Sequence, residues 1–177
     1  MPFTLLHFGP GFLFKAVGSK RISWCAFCAA NVMIDIEPLA YWVLRGEPWH
    51  RFLHTLPGAT LAGILTVGCC KYLLPYWLNW WNRQLSPDQA RWLRVEVELN
   101  SRALWVGGLL GAWSHLLLDA IMHVDVRPVW PFKNDNPLIS VISIDALNLA
   151  CVVAGIVGLA MLEVSRRRGG KGFRRGD

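Results

Sequence analysis

Charge is what this chain has least of. Only 17% of its 177 residues are Asp, Glu, Lys or Arg, where an ordinary soluble domain carries about a quarter. Hydrophobic residues make up 54% and the mean hydropathy is +0.34. The shortage of charge argues against a soluble domain and for a chain that lives in a membrane. Other absences narrow the chemistry. There is no HExxH, which disfavours a zincin-type protease. Cys25 and Cys28 form a CxxC without a second pair, so a zinc ribbon or thioredoxin-like site is not expected, and Cys69, Cys70 and Cys151 also fall in apolar runs where buried free thiols are the ordinary reading. No basic n-region precedes the first apolar residues, and Gly9-Pro10-Gly11 interrupts them, so the start of the chain reads as a poor secretory signal. The net charge of +6 comes with no nucleic-acid-reading module, and much of it lies in the tail Arg166, Arg167, Arg168, Lys171, Arg174 and Arg175. Basic residues directly after an apolar run read as a cytoplasmic stop signal beside anionic headgroups, and no nucleic-acid partner is expected.

What remains is a succession of apolar segments. Phe3 to Val17 is short for a bilayer and is broken at Gly9-Pro10-Gly11, so a half-span or buried helix is as good a reading as a crossing. Ile22 to Leu44 is long enough to span and holds Asp35 and Glu37 just before Pro38. Because a proline disfavours helix at the residue ahead of it, Glu37 is expected on irregular backbone at the end of a helical piece. His54 to Leu78, broken by Lys71 and Pro75, leads to Trp77, Trp80 and Trp81, an aromatic cluster suited to the headgroup level. Residues 86 to 102 read as an interfacial or solvent-facing amphipathic helix. Ala103 to Met122 carries Gly107, Gly108 and Gly111, which let a neighbouring helix come close, and Leu138 to Val164 is the last apolar run. The expectation is an all-α integral membrane helical bundle of four or five hydrophobic segments, one domain over residues 1–165, with a basic and disordered tail over 166–177.

Lys and Arg also set the orientation. Lys15, Lys20 and Arg21, then Arg83, Arg91, Arg94 and Arg102, then the tail, fall on one side in an alternating topology, which makes that side and the C-terminus cytoplasmic. The polar residues then converge. Asp35, Glu37, His50, His54, the stretch His115 to Asp125 and the outlying Asp145 all reach the outer half of the bilayer, and His7 joins them if the first segment crosses.

The stretch WSHLLLDAIMHVD spaces His115, Asp119 and His123 four residues apart, so a helix lines them up as one slanting stripe. Ionisable groups in an apolar helix are expensive, about 2.5–3.5 kcal/mol for an Asp at its centre, and need partners or a purpose. A divalent ion supplies both. His7, Asp35, His50, His54, His115 and Asp119 offer enough imidazole and carboxylate ligands for one or two ions, zinc first and manganese second. Two ions close together would clamp the two oxygens of an in-line displacement at phosphorus. Glu37 and His123, with Asp125, are then candidates for the general acid and base or for orienting the ligands.

The order of these elements carries a resemblance. His7, Asp35-Ile36-Glu37, His50-Arg51 with His54-Thr55, SHLLLD at Ser114 to Asp119 and VWPF at Val129 to Phe132 resemble the YdjM-like family of inner-membrane metal-dependent hydrolases, over most of residues 3–132. The resemblance implies His7, Asp35, His54, His115 and Asp119 as metal ligands, and a distant likeness to the all-helical zinc-dependent phospholipase C and nuclease folds. The chain departs from the family pattern at Glu37-Pro38, where an Asp followed by His is common, and in a His50–His54 spacing one residue tighter. The expected activity is metal-dependent hydrolysis of a phosphoester or phospholipid-like substrate in the inner (plasma) membrane, among membrane lipids and with a small-molecule or lipid substrate. A metal or proton transporter using the same residues, or a non-catalytic membrane scaffold, are the rival expectations.

Overall fold

The computed structural model describes residues 5–95 and 100–172, and among them every regular element is helical. A 3₁₀ turn over Leu5–His7 enters α1 (Phe8–Gly18); a second over Ser19–Arg21 precedes α2 (Trp24–Val43); a third over Phe52–His54 leads into α3 (Leu56–Tyr72), α4 (Leu74–Gln84) and α5 (Pro87–Leu93); α6 (Ser101–Met122) and α7 (Ile144–Gly172) complete the described chain. Side-chain hydroxyls and amides start most of these helices. Ser23 Oγ accepts from the Ala26 N–H, Thr55 Oγ1 from Gly58, and Asn100 Oδ1 from Arg102 and Ala103, each satisfying amides that the first helical turn leaves orphaned.

α6 is the central helix, packed on α2 along one face and on α3 along another. Its glycines set the spacing. A Cβ at Gly107 would run into the Ser23 carbonyl oxygen and one at Gly111 into that of Phe27, so α2 can lie this close only against glycine. Gly108 faces Gly63 and Val67 of α3. Ser23 lies beside Ala103, to whose carbonyl its N–H donates (3.0 Å), and Asn31 beside Gly111, which makes α2 and α6 parallel. Contacts of Thr60 with Trp113 and of Val67 with Gly108 make α3 antiparallel to both. α1 runs parallel to α7, with Gly9 against Cys151 and Gly158 against Phe12. The ends of α2 and α6 therefore meet the starts of α1, α3 and α7.

Two helices, Ser101–Met122 and Ile144–Arg168, are long and apolar enough to cross a membrane, and the pair Leu56–Tyr72 with Leu74–Gln84, bent by 47°, makes a third if it is one broken span. Pro75 explains the bend, because it lacks the N–H that would continue the α3 ladder. The chain is thus a helical membrane protein with two or three candidate spans, where four or five hydrophobic segments were expected. α1, at 11 residues, is about 16 Å long, roughly half a span. α2 has the length but carries Asn31, Asp35 and Glu37.

Two local expectations change. α2 continues without interruption through Glu37 and Pro38 to Val43, so Glu37 is helical. Pro38 is buried in the bundle, and packing there overrides the local preference against helix. His50 lies outside any helix, in the link before the Phe52–His54 turn. α7 begins at Ile144, later than the apolar run from Leu138, and continues past the expected start of the tail to Gly172, while residues 173–177 lie outside those described, as do 96–99 of the amphipathic stretch.

Candidate metal centre

The end of the bundle where five helix termini meet gathers the residues singled out from the sequence except Asp145. Asp119, on α6 and 2% exposed, is their common neighbour. One ring nitrogen of each of the five histidines lies within 4.0 Å of its carboxylate: His54 Nε2 at 3.1 Å, His115 Nε2 at 3.2 Å and His50 Nε2 at 4.0 Å from Oδ2, His7 Nε2 at 3.5 Å and His123 Nε2 at 3.9 Å from Oδ1. Asp35 comes from α2, with Oδ1 3.3 Å from His115 Nε2. Asp35, His54, His115 and Asp119 are all buried and offer one donor atom each within 4.8 Å of one another, as do His50, His123 and Asp125 nearer the surface.

Two features separate this cluster from a network of ordinary hydrogen bonds. The first concerns orientation. His54 Nε2 and His115 Nε2 are close to Asp119, yet neither is aligned to bond it, and among the described residues both are buried without a hydrogen-bond partner, as are both ring nitrogens of His7. Orphaned buried nitrogens are costly, and several of them aimed at one carboxylate are what a shared cation would satisfy. The second concerns the opposite ring edges. His54 Nδ1 lies 3.1 Å from Glu37 Oε2, His115 Nδ1 3.1 Å from Asn31 Oδ1, and His50 Nδ1 2.9 Å from both oxygens of Asp125. Each imidazole can thus carry its proton on Nδ1 and turn a basic Nε2 inward, the arrangement in which second partners hold metal-binding histidines. The donor set, imidazole and carboxylate, suits Zn²⁺ or Mn²⁺.

The supports are themselves anchored. Glu37 also accepts from the backbone N–H groups of Arg51 (2.9 Å) and Leu53 (3.0 Å), so one carboxylate fixes both the His54 ring and the turn that presents it. It thus lies against the Nδ1 edge of the His54 ring, away from Asp119. Asn31 donates to the Phe27 carbonyl (2.9 Å) while meeting His115. This residue was missed by the sequence reading, although it stands one turn before Asp35 on the same face of an otherwise apolar helix. Asp125 takes the His50 N–H as well as its ring (3.2 Å). Burial alone would raise the Asp125 carboxyl, but the bonds from His50 outweigh it and hold the group below the usual aspartate range.

His123 caps α6, its N–H donating to the Asp119 carbonyl (2.8 Å), and its ring stacks on His50 at 4.4 Å. With a side chain 26% exposed, it stands where the buried cluster meets solvent. Asp145 is exposed in the first turn of α7, outside the cluster.

The family model of the YdjM inner membrane protein matches residues 5–173, so the chain belongs to the YdjM inner membrane protein family. No curated protein and no solved structure matches it significantly.

Proposed function

We propose that this member of the family is a membrane-bound metal-dependent hydrolase acting on a phosphoester, with its His/Asp centre at the outer face of the inner membrane and its C-terminus in the cytoplasm. The observation that carries the reading is the ring of histidines around Asp119, with buried Nε2 atoms that no hydrogen bond among the described residues satisfies. Asp35, His54, His115 and Asp119 would hold one divalent ion, zinc first and manganese second. His50, His123 and the Oδ1 side of Asp119, which also faces His7, would hold or approach a second. When bound, such an ion polarises a phosphoryl oxygen and lowers the pKa of a water to near neutrality.

The chain's own residues do the rest. Glu37, Asn31 and Asp125 hold the imidazoles in the tautomer that leaves Nε2 basic. His123, at the solvent edge, is placed to pass a proton between the site and water. The buried side excludes bulk solvent, which strengthens charge interactions with a developing phosphoryl charge. A site at one end of the bundle supports surface hydrolysis over transport, which would need access from both faces.

The test is hydrolysis of a chromogenic phosphodiester and of short-chain phospholipids by purified protein, before and after chelation. Turnover should disappear with chelator, return with Zn²⁺ or Mn²⁺, and be absent from His115→Ala. Metal-dependent uptake into proteoliposomes without hydrolysis would overturn the reading in favour of a transporter.

A further inference from the structure

Next to the histidine cluster lies a cavity of about 260 Å³ whose lining includes His50, Arg51, Phe52, Thr55, Arg127 and Trp130. We propose that it is the substrate subsite, that Arg127 binds the phosphate there, and that Phe52 and Trp130 take the first carbons of an apolar chain. The substrate class is then a phosphate ester of an amphiphile. This deepens the hydrolase reading and rests on it.

The cavity is framed by two segments tied together. Leu56 N–H donates to the Pro128 carbonyl (2.8 Å), which pins the turn carrying Arg127 to Trp130 against the start of α3. Its wall includes His50, buried and within 4.0 Å of Asp119, so a group held in the cavity sits beside the proposed metal ligands.

Its two guanidinium groups differ, that of Arg51 being already held by backbone carbonyls. Arg51 Nε donates to the Pro48 carbonyl and Nη2 to the Glu47 carbonyl, both at 3.0 Å, while its head stacks on Tyr41 at 3.9 Å. Arg51 thus contributes fixed positive charge. Among the described residues the Arg127 guanidinium has no hydrogen-bond or ion-pair partner, and its planar fork matches two phosphoryl oxygens. Phe52 and Trp130 meet edge to face at 6.3 Å and are 43% and 41% exposed. Aromatics half in and half out, at the end of candidate spans, belong at the headgroup level. The volume is small for a whole lipid, since pockets enclosing a drug-sized ligand run to roughly 300–1,000 Å³. It suits a phosphate head and the nearest carbons, with the remaining chain left in the bilayer.

The experiment is isothermal titration of the full chain in non-ionic detergent with dihexanoyl phosphatidic acid and, separately, inorganic phosphate, in chelator and again with zinc. Wild type should bind the amphiphile more tightly than inorganic phosphate. Arg127→Ala should weaken both by about 10- to 100-fold, Arg127→Lys by less, and Phe52→Ala should weaken the amphiphile alone. Arg127 is exposed, and a melting curve matching wild type checks its variants. Absence of wild-type binding, or unchanged affinity in Arg127→Ala, overturns the proposal. Equal affinities for the amphiphile and for phosphate would overturn its apolar half. If zinc-dependent turnover of the same probe survives Arg127→Ala unchanged, the subsite fails and the hydrolase reading stands. Binding that depends on Arg127 with no turnover under any metal leaves an amphiphile-phosphate site at Arg127 and removes the hydrolase, and with it the role of that site as a substrate subsite.

Discussion

His115 and Asp119 stand one turn apart on α6, with His115 Nε2 3.2 Å from Asp119 Oδ2 and the residues 0% and 2% exposed. The helix brings them together at no extra ordering cost, since i and i+4 side chains share a face. Everything else in the centre is held in register with that pair by other elements: Asn31 behind His115, Asp35 beside it, and Glu37 behind the His54 ring that reaches Asp119 from the opposite side.

Glu37 should therefore matter for metal affinity without being a ligand. Its replacement frees the His54 ring and leaves the Arg51 and Leu53 N–H groups without their acceptor. We expect Glu37→Ala to weaken Zn²⁺ binding about 10- to 100-fold and Glu37→Gln to weaken it less, because an amide oxygen still accepts one backbone bond. Competition titration against a zinc chromophore measures both. Affinity unchanged in Glu37→Ala would show that His54 needs no orienting partner.

Asn31 makes the same argument from the other side of the cluster. Asn31→Leu keeps the branched shape of the side chain but leaves His115 Nδ1 without its polar partner, while the Phe27 carbonyl keeps its helical backbone bond. Losing a buried partner costs about 1–3 kcal/mol. The expected result is lower thermal stability in chelator together with weaker zinc binding. A variant that melts like wild type and binds zinc as tightly would contradict the tautomer assigned to His115.

Helix spacing gives a prediction independent of the metal. Gly111→Ala places a methyl group against the Phe27 carbonyl oxygen, so α2 and α6 must separate, and Asn31, one turn beyond Phe27, moves with α2. Overpacking of this kind costs about 1–3 kcal/mol. Detergent-solubilised protein should melt lower in chelator, whereas Gly68→Ala, with open space around its site, should not. Equal effects of the two substitutions would mean that the α2–α6 distance is not set by glycine.

Much of the centre could be read from spacing alone. His115 with Asp119 declares itself by four-residue steps in an apolar run, and Asp35 by the expense of an acid there. Lys and Arg placed their helix ends on one side, and the antiparallel return of α3 does bring His54 to Asp119. Other parts depend on the return path of the chain. Glu37 was expected on irregular backbone because the local rule for a residue before proline ignores the packing that keeps Pro38 helical. That its carboxylate would collect two amides from residues 51–53 follows from the course of a loop, which no periodicity encodes. Asn31 escaped notice because a neutral amide is a cheap exception in an apolar segment, although its register with Asp35 was visible. The cavity beside His50 was not legible at all, since its lining comes from two segments far apart in sequence, residues 48–55 and 127–130, joined where Leu56 bonds the Pro128 carbonyl.

The most direct measurement is the metal content of purified full-length protein by elemental analysis, wild type against Asp119→Asn, with circular dichroism to show that both are folded. This substitution keeps the shape of the side chain and removes the charge that faces all five histidines. The expected result is roughly one to two zinc or manganese ions per wild-type chain and less than about a tenth of that in the variant. Chelation should lower the melting temperature of wild type by roughly 5–10 °C, as loss of a ligand present at about a hundred times its Kd does, and leave the variant unmoved. A folded wild type without stoichiometric metal, or a variant that retains it, would contradict the metal centre.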